Sequence, residues 1–93
     1  MTQLVTEIYG GEPYEYYPLG EHVVRAPGVG GGRPTFKYTR IEITYVLQRL
    51  AAGDTVKTLV EDYEGRVSAE AISEAGRIVT NSFLASLPEL TAA

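Results

Sequence analysis

Apolar and polar positions change period near the middle of the chain. Up to residue 43 the apolar residues come in short runs punctuated by Gly and Pro; beyond it they recur at helical spacing. In the first half, residues 5–9 alternate enough for a short strand, which Gly10-Gly11 ends. Tyr14, Tyr16 and Tyr17 sit between Pro13 and Pro18, which predicts an extended stretch with an irregular edge. Residues 22–26 predict a second strand closed by Pro27-Gly28. Residues 35–40 and 41–43, rich in Thr, Phe, Tyr and Ile, predict a third and a fourth.

The second half reads as three short helices. Residues 44–52 place Val46, Leu47, Leu50 and Ala51 on one face, and Gly53 suits the position just past a helix end. Asp54 or Thr55 caps a second helix, in which Val56, Leu59, Val60 and Tyr63 follow i, i+3, i+4, i+7 until Gly65 breaks it. Ser68 caps the third, with Val67 placed to staple onto Ile72. Ala71, Ile72, Ala75, Val79 and Phe83 continue the buried stripe, and Pro88 stops the helix soon after Leu87. The expected class is α+β. A β-rich arm (residues 1–43) precedes a three-helix, helix-turn-helix-like core (44–87) and a tail (88–93) within a single domain.

Ninety-three residues make one small domain, which buries roughly 60–65% of its unfolded surface and gains from a partner. The chain has no cysteine, which removes disulfides, zinc thiolates and thiol nucleophiles together and suits a reducing cytoplasm. The first residues show neither a basic segment nor an apolar one of the signal-peptide kind, and no apolar run approaches the roughly 20 residues of a membrane span. A cytoplasmic protein is expected.

The net charge of −4 is unevenly spread. Residues 1–21 carry Glu7, Glu12, Glu15 and Glu21 without a cation, whereas residues 22–40 carry Arg25, Arg33, Lys37 and Arg40 without a carboxylate. That basic block is a candidate nucleic-acid contact; the alternative is that it offsets the acidic arm within one chain or across a dimer. Tyr9, Tyr14, Tyr16 and Tyr17 fall within nine residues. They suit a partner-binding surface, or equally serve as lids on a small core. The leading exposed residues of the third helix, Ala69, Glu70, Ser73 and Glu74, bring carboxylates where a recognition helix needs cations; Arg77, Thr80 and Asn81 arrive late.

Catalytic chemistry finds no footing. His22 is a lone imidazole, and Glu61 and Asp62 point about 100° apart on a helix, with neither His nor Cys to complete a metal set. The glycines at 28 and 30–32 lack the Lys-Ser/Thr ending and helix start of a phosphate loop, and are expected to form a turned connection at positive φ. Neither a cofactor, a metal nor an enzymatic activity is expected.

The run GGRPTFKYTRIEI, then LAAGDTVKTLVEDY, then VSAEAISEA resembles the bacterial domain-of-unknown-function family 433 over roughly residues 22–80. Gly31, Gly32, Arg33, Pro34, Lys37, Thr39, Arg40 and Ile41 carry the likeness, with Ala51, Ala52, Gly53, Leu59, Glu61, Asp62 and Tyr63. Three positions depart from the pattern: Tyr38 stands where glycine is usual, and Glu42 and Glu64 where proline is. Tyr38 is expected to resist a left-handed turn and so to alter the hairpin. The resemblance implies a dimeric, helix-turn-helix antitoxin of the VapB type that neutralises a PIN-like ribonuclease toxin and contacts operator DNA. On that reading the acidic tyrosine arm, or the tail after Ser86, meets the ribonuclease. The alternative is a homo-oligomeric interaction module with neither toxin nor operator.

Overall fold

A computed structural model describes residues 3–90; the last three residues of the expected tail lie outside them. Four strands form an antiparallel meander in which each pairs with its neighbour in sequence: β1 (Val5–Tyr9), β2 (Glu12–Pro18), β3 (Val23–Arg25) and β4 (Thr35–Phe36). Three helices follow: α1 (Ile43–Ala51), α2 (Val56–Asp62) and α3 (Ala69–Ser86). The α+β class and the order of its parts are as expected.

The tyrosine stretch is more regular than expected. Residues 12–16 of β2 pair with β1, Val5 opposite Tyr16 and Tyr9 opposite Glu12, and its last two residues pair with β3. Gly10 and Gly11, at φ 61° and 82°, make the two-residue turn that such a tight hairpin demands. Pro13 and Pro18 sit near the strand's two ends, where a missing N–H does least harm.

The third and fourth strands expected over residues 35–43 are not formed as such. β4 stops at Phe36, and residue 42 joins the sheet through one bridge to Thr35. Between them the chain turns through Tyr38, which takes the left-handed conformation (φ 67°) although it is not glycine. This corrects the expectation that Tyr38 would resist the turn. The side chain costs roughly 1 kcal/mol there. Several contacts hold it in place. Tyr38 N–H donates to the Tyr14 hydroxyl (3.0 Å), and the Thr39 hydroxyl donates to Phe36 O (2.8 Å) while accepting from Ile41 N–H (3.0 Å).

The other two departures resolve differently. Glu42 is the N-cap of α1 at φ −72°, which a proline would also adopt, and its carboxylate is drawn away to Arg33. Glu64 lies at φ 55°, which proline cannot reach, so the turn between α2 and α3 takes its own course.

Helix starts follow local chemistry. Thr55 and Ser68 each accept an N–H from three residues on, Thr58 and Ala71 respectively. Val67 and Ile72 are both buried in one cluster with Val23, Phe36, Val46 and Leu59, which seals the helices against β3 and β4. Arg49 ties α1 to α2, donating to Asp54 (2.7 Å) and Asp62 (2.5 Å). A second, smaller cluster of Tyr16, Val24 and Ala26 lies under the hairpin.

Beside that apolar packing, one carboxylate ties α3 to the sheet by hydrogen bonds. Glu74 accepts the backbone N–H groups of Glu21 (2.9 Å) and His22 (2.6 Å) at the start of β3. A methyl on Gly20 would stand 2.6 Å from that carboxylate, so glycine here makes room for the contact.

Thr35 is fully buried, and its hydroxyl has no hydrogen-bond partner. An unpaired buried hydroxyl costs about 1–3 kcal/mol, so Thr35→Val should leave stability unchanged or raise it by about 1 kcal/mol. A thermal melt checks this; a drop of several degrees would show that the hydroxyl is satisfied in solution.

The stripe on α3 is buried only in part. Ala71, Ile72 and Ala75 lie in the core, but Val79 and Phe83, expected to continue it, are 43% and 61% exposed. The core simply ends before the helix does. Accordingly the molecule is elongated, 59 × 34 × 20 Å, and its radius of gyration of 15.1 Å exceeds the roughly 12 Å of a compact chain this long.

Candidate functional site

Alternation along the hairpin puts Val5, Glu7 and Tyr9 of β1 on the same face as Tyr14 and Tyr16 of β2. The turn after β4 lays Lys37 and Tyr38 over that face. The Glu7 carboxylate accepts the Tyr16 and Tyr38 hydroxyls, the latter at 2.6 Å, and Lys37 Nζ stands 3.4 Å away. Lys37 also lies over the rings of Tyr16 and Tyr38, at 4.8 and 5.0 Å from their centroids. The Tyr16 hydrogen bond, then that of Tyr38, holds the Glu7 carboxyl below its ordinary range. The same carboxylate pushes the Tyr38 hydroxyl up, and Lys37 is raised by Tyr16 first, then by Tyr38 and Glu7 against the opposing effect of burial. The Glu7 carboxylate and the Lys37 ammonium thus favour each other's charged form.

Around it the rings form an aromatic corner. Tyr9 and Tyr38 are stacked at 4.3 Å and 10°, while Tyr14 is tilted against both. A groove of about 270 Å³ opens beside them, bounded also by Arg40 and Arg66.

The four basic candidates therefore do not share one surface. Arg40 lines the groove, and Lys37 sits among the tyrosines. Arg25 instead donates to Gly32 O (2.6 Å), and Arg33 makes a two-pronged pair with Glu42 (2.8 and 3.1 Å). That pairing raises the Arg33 guanidinium and lowers the Glu42 carboxyl. Gly30, Gly31 and Gly32, all at positive φ, shape the loop on which Arg25 and Arg33 converge.

Three tyrosine candidates come together and one does not. Tyr9, Tyr14 and Tyr16 lie on the inner face; Tyr17 points to the opposite one, beside Arg25, Pro27 and Gly32. Tyr16 is buried, whereas Tyr9 is half exposed. Thus the arm both covers core and presents rings outward.

Sequence reasoning missed Tyr38, Glu7 and Arg66 as members of this cluster. Their separations in the chain gave no local signal, although strand alternation does pair Glu7 with Tyr14 once the hairpin register is known. Among the described residues no three His, Cys, Asp or Glu side chains gather as a metal-ligand set. No helix among them is long and apolar enough to cross a membrane.

Residues 23–77 match the family described as Protein of unknown function (DUF433). Neither a curated protein nor a solved structure matches the chain. The matched segment covers more than half of the residues, running from β3 through the first half of α3, and the chain belongs to this family. The β1–β2 hairpin, with most of its tyrosines, and the free end of α3 both fall outside the match.

Proposed function

We propose that this DUF433 member is a binding protein of the antitoxin class, which neutralises a PIN-like ribonuclease by offering it the free end of α3. One observation carries the reading. The face that is buried at Ile72 and Ala75 emerges from the core at Val79 and Phe83 and runs on with Leu84 and Leu87, about half exposed or more. From Val79 to Ser86 that is roughly 10 Å of amphipathic helix with apolar side chains in water. Such a helix suits an apolar groove on a partner.

Operator contact has less support. Arg33 and Lys37 already hold carboxylates and Arg25 donates to Gly32 O, leaving Arg40 as the member of that block with no side-chain partner among the described residues. A second reading rests on the same helix end: the stripe packs against its copy, giving a homo-oligomeric module.

A tagged chain recovered from its native cell, with mass spectrometry and light scattering, separates the two. The antitoxin reading expects a stoichiometric ribonuclease-like partner whose RNA cleavage appears only once the chain is removed. Phe83→Asp with Leu84→Asp should weaken that complex about 30-fold or more while leaving the melt unchanged, since neither side chain is in the core. Recovery of the chain only with itself, dissociated by the same substitutions, would replace the antitoxin by the oligomeric module.

A further inference from the structure

Arg40 and Arg66 come from distant parts of the chain, one from the turn after β4 and one from the turn before α3, yet both border the groove beside the tyrosines. Neither guanidinium forms an ion pair among the described residues, unlike Arg33, Lys37 and Arg49. The carboxylate of Glu7 is already committed to Tyr16, Tyr38 and Lys37. A basic spot therefore survives on a chain of net charge −4.

The rings beside it are arranged rather than scattered. Tyr14 meets Tyr38 at 5.3 Å and 43° and Tyr9 at 6.2 Å and 51°, so the stacked pair and the tilted ring form a corner. Tyr9 is 53% exposed at its mouth. The Tyr38 ring is kept there by a strained, left-handed backbone, the kind of conformation that persists where its position is used.

A flat π-system is what such a corner stacks, and two unpaired guanidinium groups at its rim are what a phosphate bonds. We propose that this groove binds a nucleobase together with its attached phosphate, as a free nucleotide or as one unit of a single strand. The base lies against Tyr9 and Tyr14, and the phosphate bridges Arg40 and Arg66. A duplex is excluded, because its base faces are stacked inside and out of reach of the tyrosines. The inference uses neither the end of α3 nor a protein partner, so it stands or falls apart from the antitoxin reading.

The test is fluorescence anisotropy on the full chain with a labelled oligouridylate of about eight nucleotides. Uridine monophosphate, inorganic phosphate and a duplex of the same length serve as competitors. Competition by the unlabelled strand alone assigns the site to single strands; equal competition by the mononucleotide assigns it to free nucleotides. Tyr9→Leu, which keeps the apolar contact but removes the π-face, should weaken binding about tenfold to a hundredfold. Arg40→Gln with Arg66→Gln should flatten the salt dependence by about one to two in log–log slope. These two arginines hold no ion pair among the described residues, so that variant keeps the fold and remains informative. Absence of binding, competition by duplex or phosphate equal to that by the strand, or wild-type affinity in both variants would each overturn the proposal.

Discussion

Replacing Leu59 by alanine should lower the thermal midpoint by at least about 10 °C. Leu59 is the one fully buried residue of α2, and it packs into the cluster of Val46, Val67 and Ile72. Its removal deletes most of what docks a seven-residue helix that would not persist alone in water. Leu→Ala in a core costs about 2–5 kcal/mol, whereas a domain this size has only about 5–14 kcal/mol in total. The loss should be uneven as well. Amides of α2 should exchange fastest in the variant, because the helix is then held by the partly buried Val60 and one surface ion pair, Asp62 with Arg49. A melt within a few degrees of wild type would show that α2 is anchored elsewhere.

The second large effect concerns Glu74. Glu74→Ala should cost about 1–3 kcal/mol, since a carboxylate accepting two backbone N–H groups is lost and the start of β3 is released from α3. Acid should have a related effect. Burial pushes the Glu74 carboxyl up, but the N–H groups of His22 and Glu21 outweigh it, so its folded value lies below the ordinary 4.5. A group with a depressed folded pKa contributes stability above its unfolded pKa and loses it as pH falls through the folded one. The contribution should therefore be complete at neutral pH and fade from about 4.5 downwards. Denaturant melts of wild type and Glu74→Gln between neutral pH and acid check this. The gap between the two should narrow on acidification, and a gap independent of pH would remove Glu74 from the acid response.

Helix starts were readable because they rest on short-range chemistry. Thr55 and Ser68 announce themselves by hydroxyls three residues before a free N–H, and Val67 by its spacing from Ile72. The class followed from the change of period at residue 43. Tyr38 was misread because a local steric rule was applied where hydrogen bonds from Tyr14 and Thr39, remote or side-chain in origin, override it. Val79 and Phe83 were misread for the opposite reason: periodicity reports which face is apolar, and says nothing of whether a neighbour is there to cover it. Of the candidate site, the basic block and the tyrosines were visible as residues. Their division between two faces was not, because it depends on strand register and on the partners each cation finds.

The meander order of the sheet has a kinetic consequence. Every strand pairs with its immediate neighbour in the chain, so the sheet closes through short loops whose entropy cost is small. Contacts between α3 and the β3 segment, such as that of Glu74 with His22 just before the strand, span more than fifty residues. The β1–β2 hairpin can thus close early at little entropic cost, whereas docking α3 on the sheet closes a loop of more than fifty residues and carries the largest loop-closure cost in the fold.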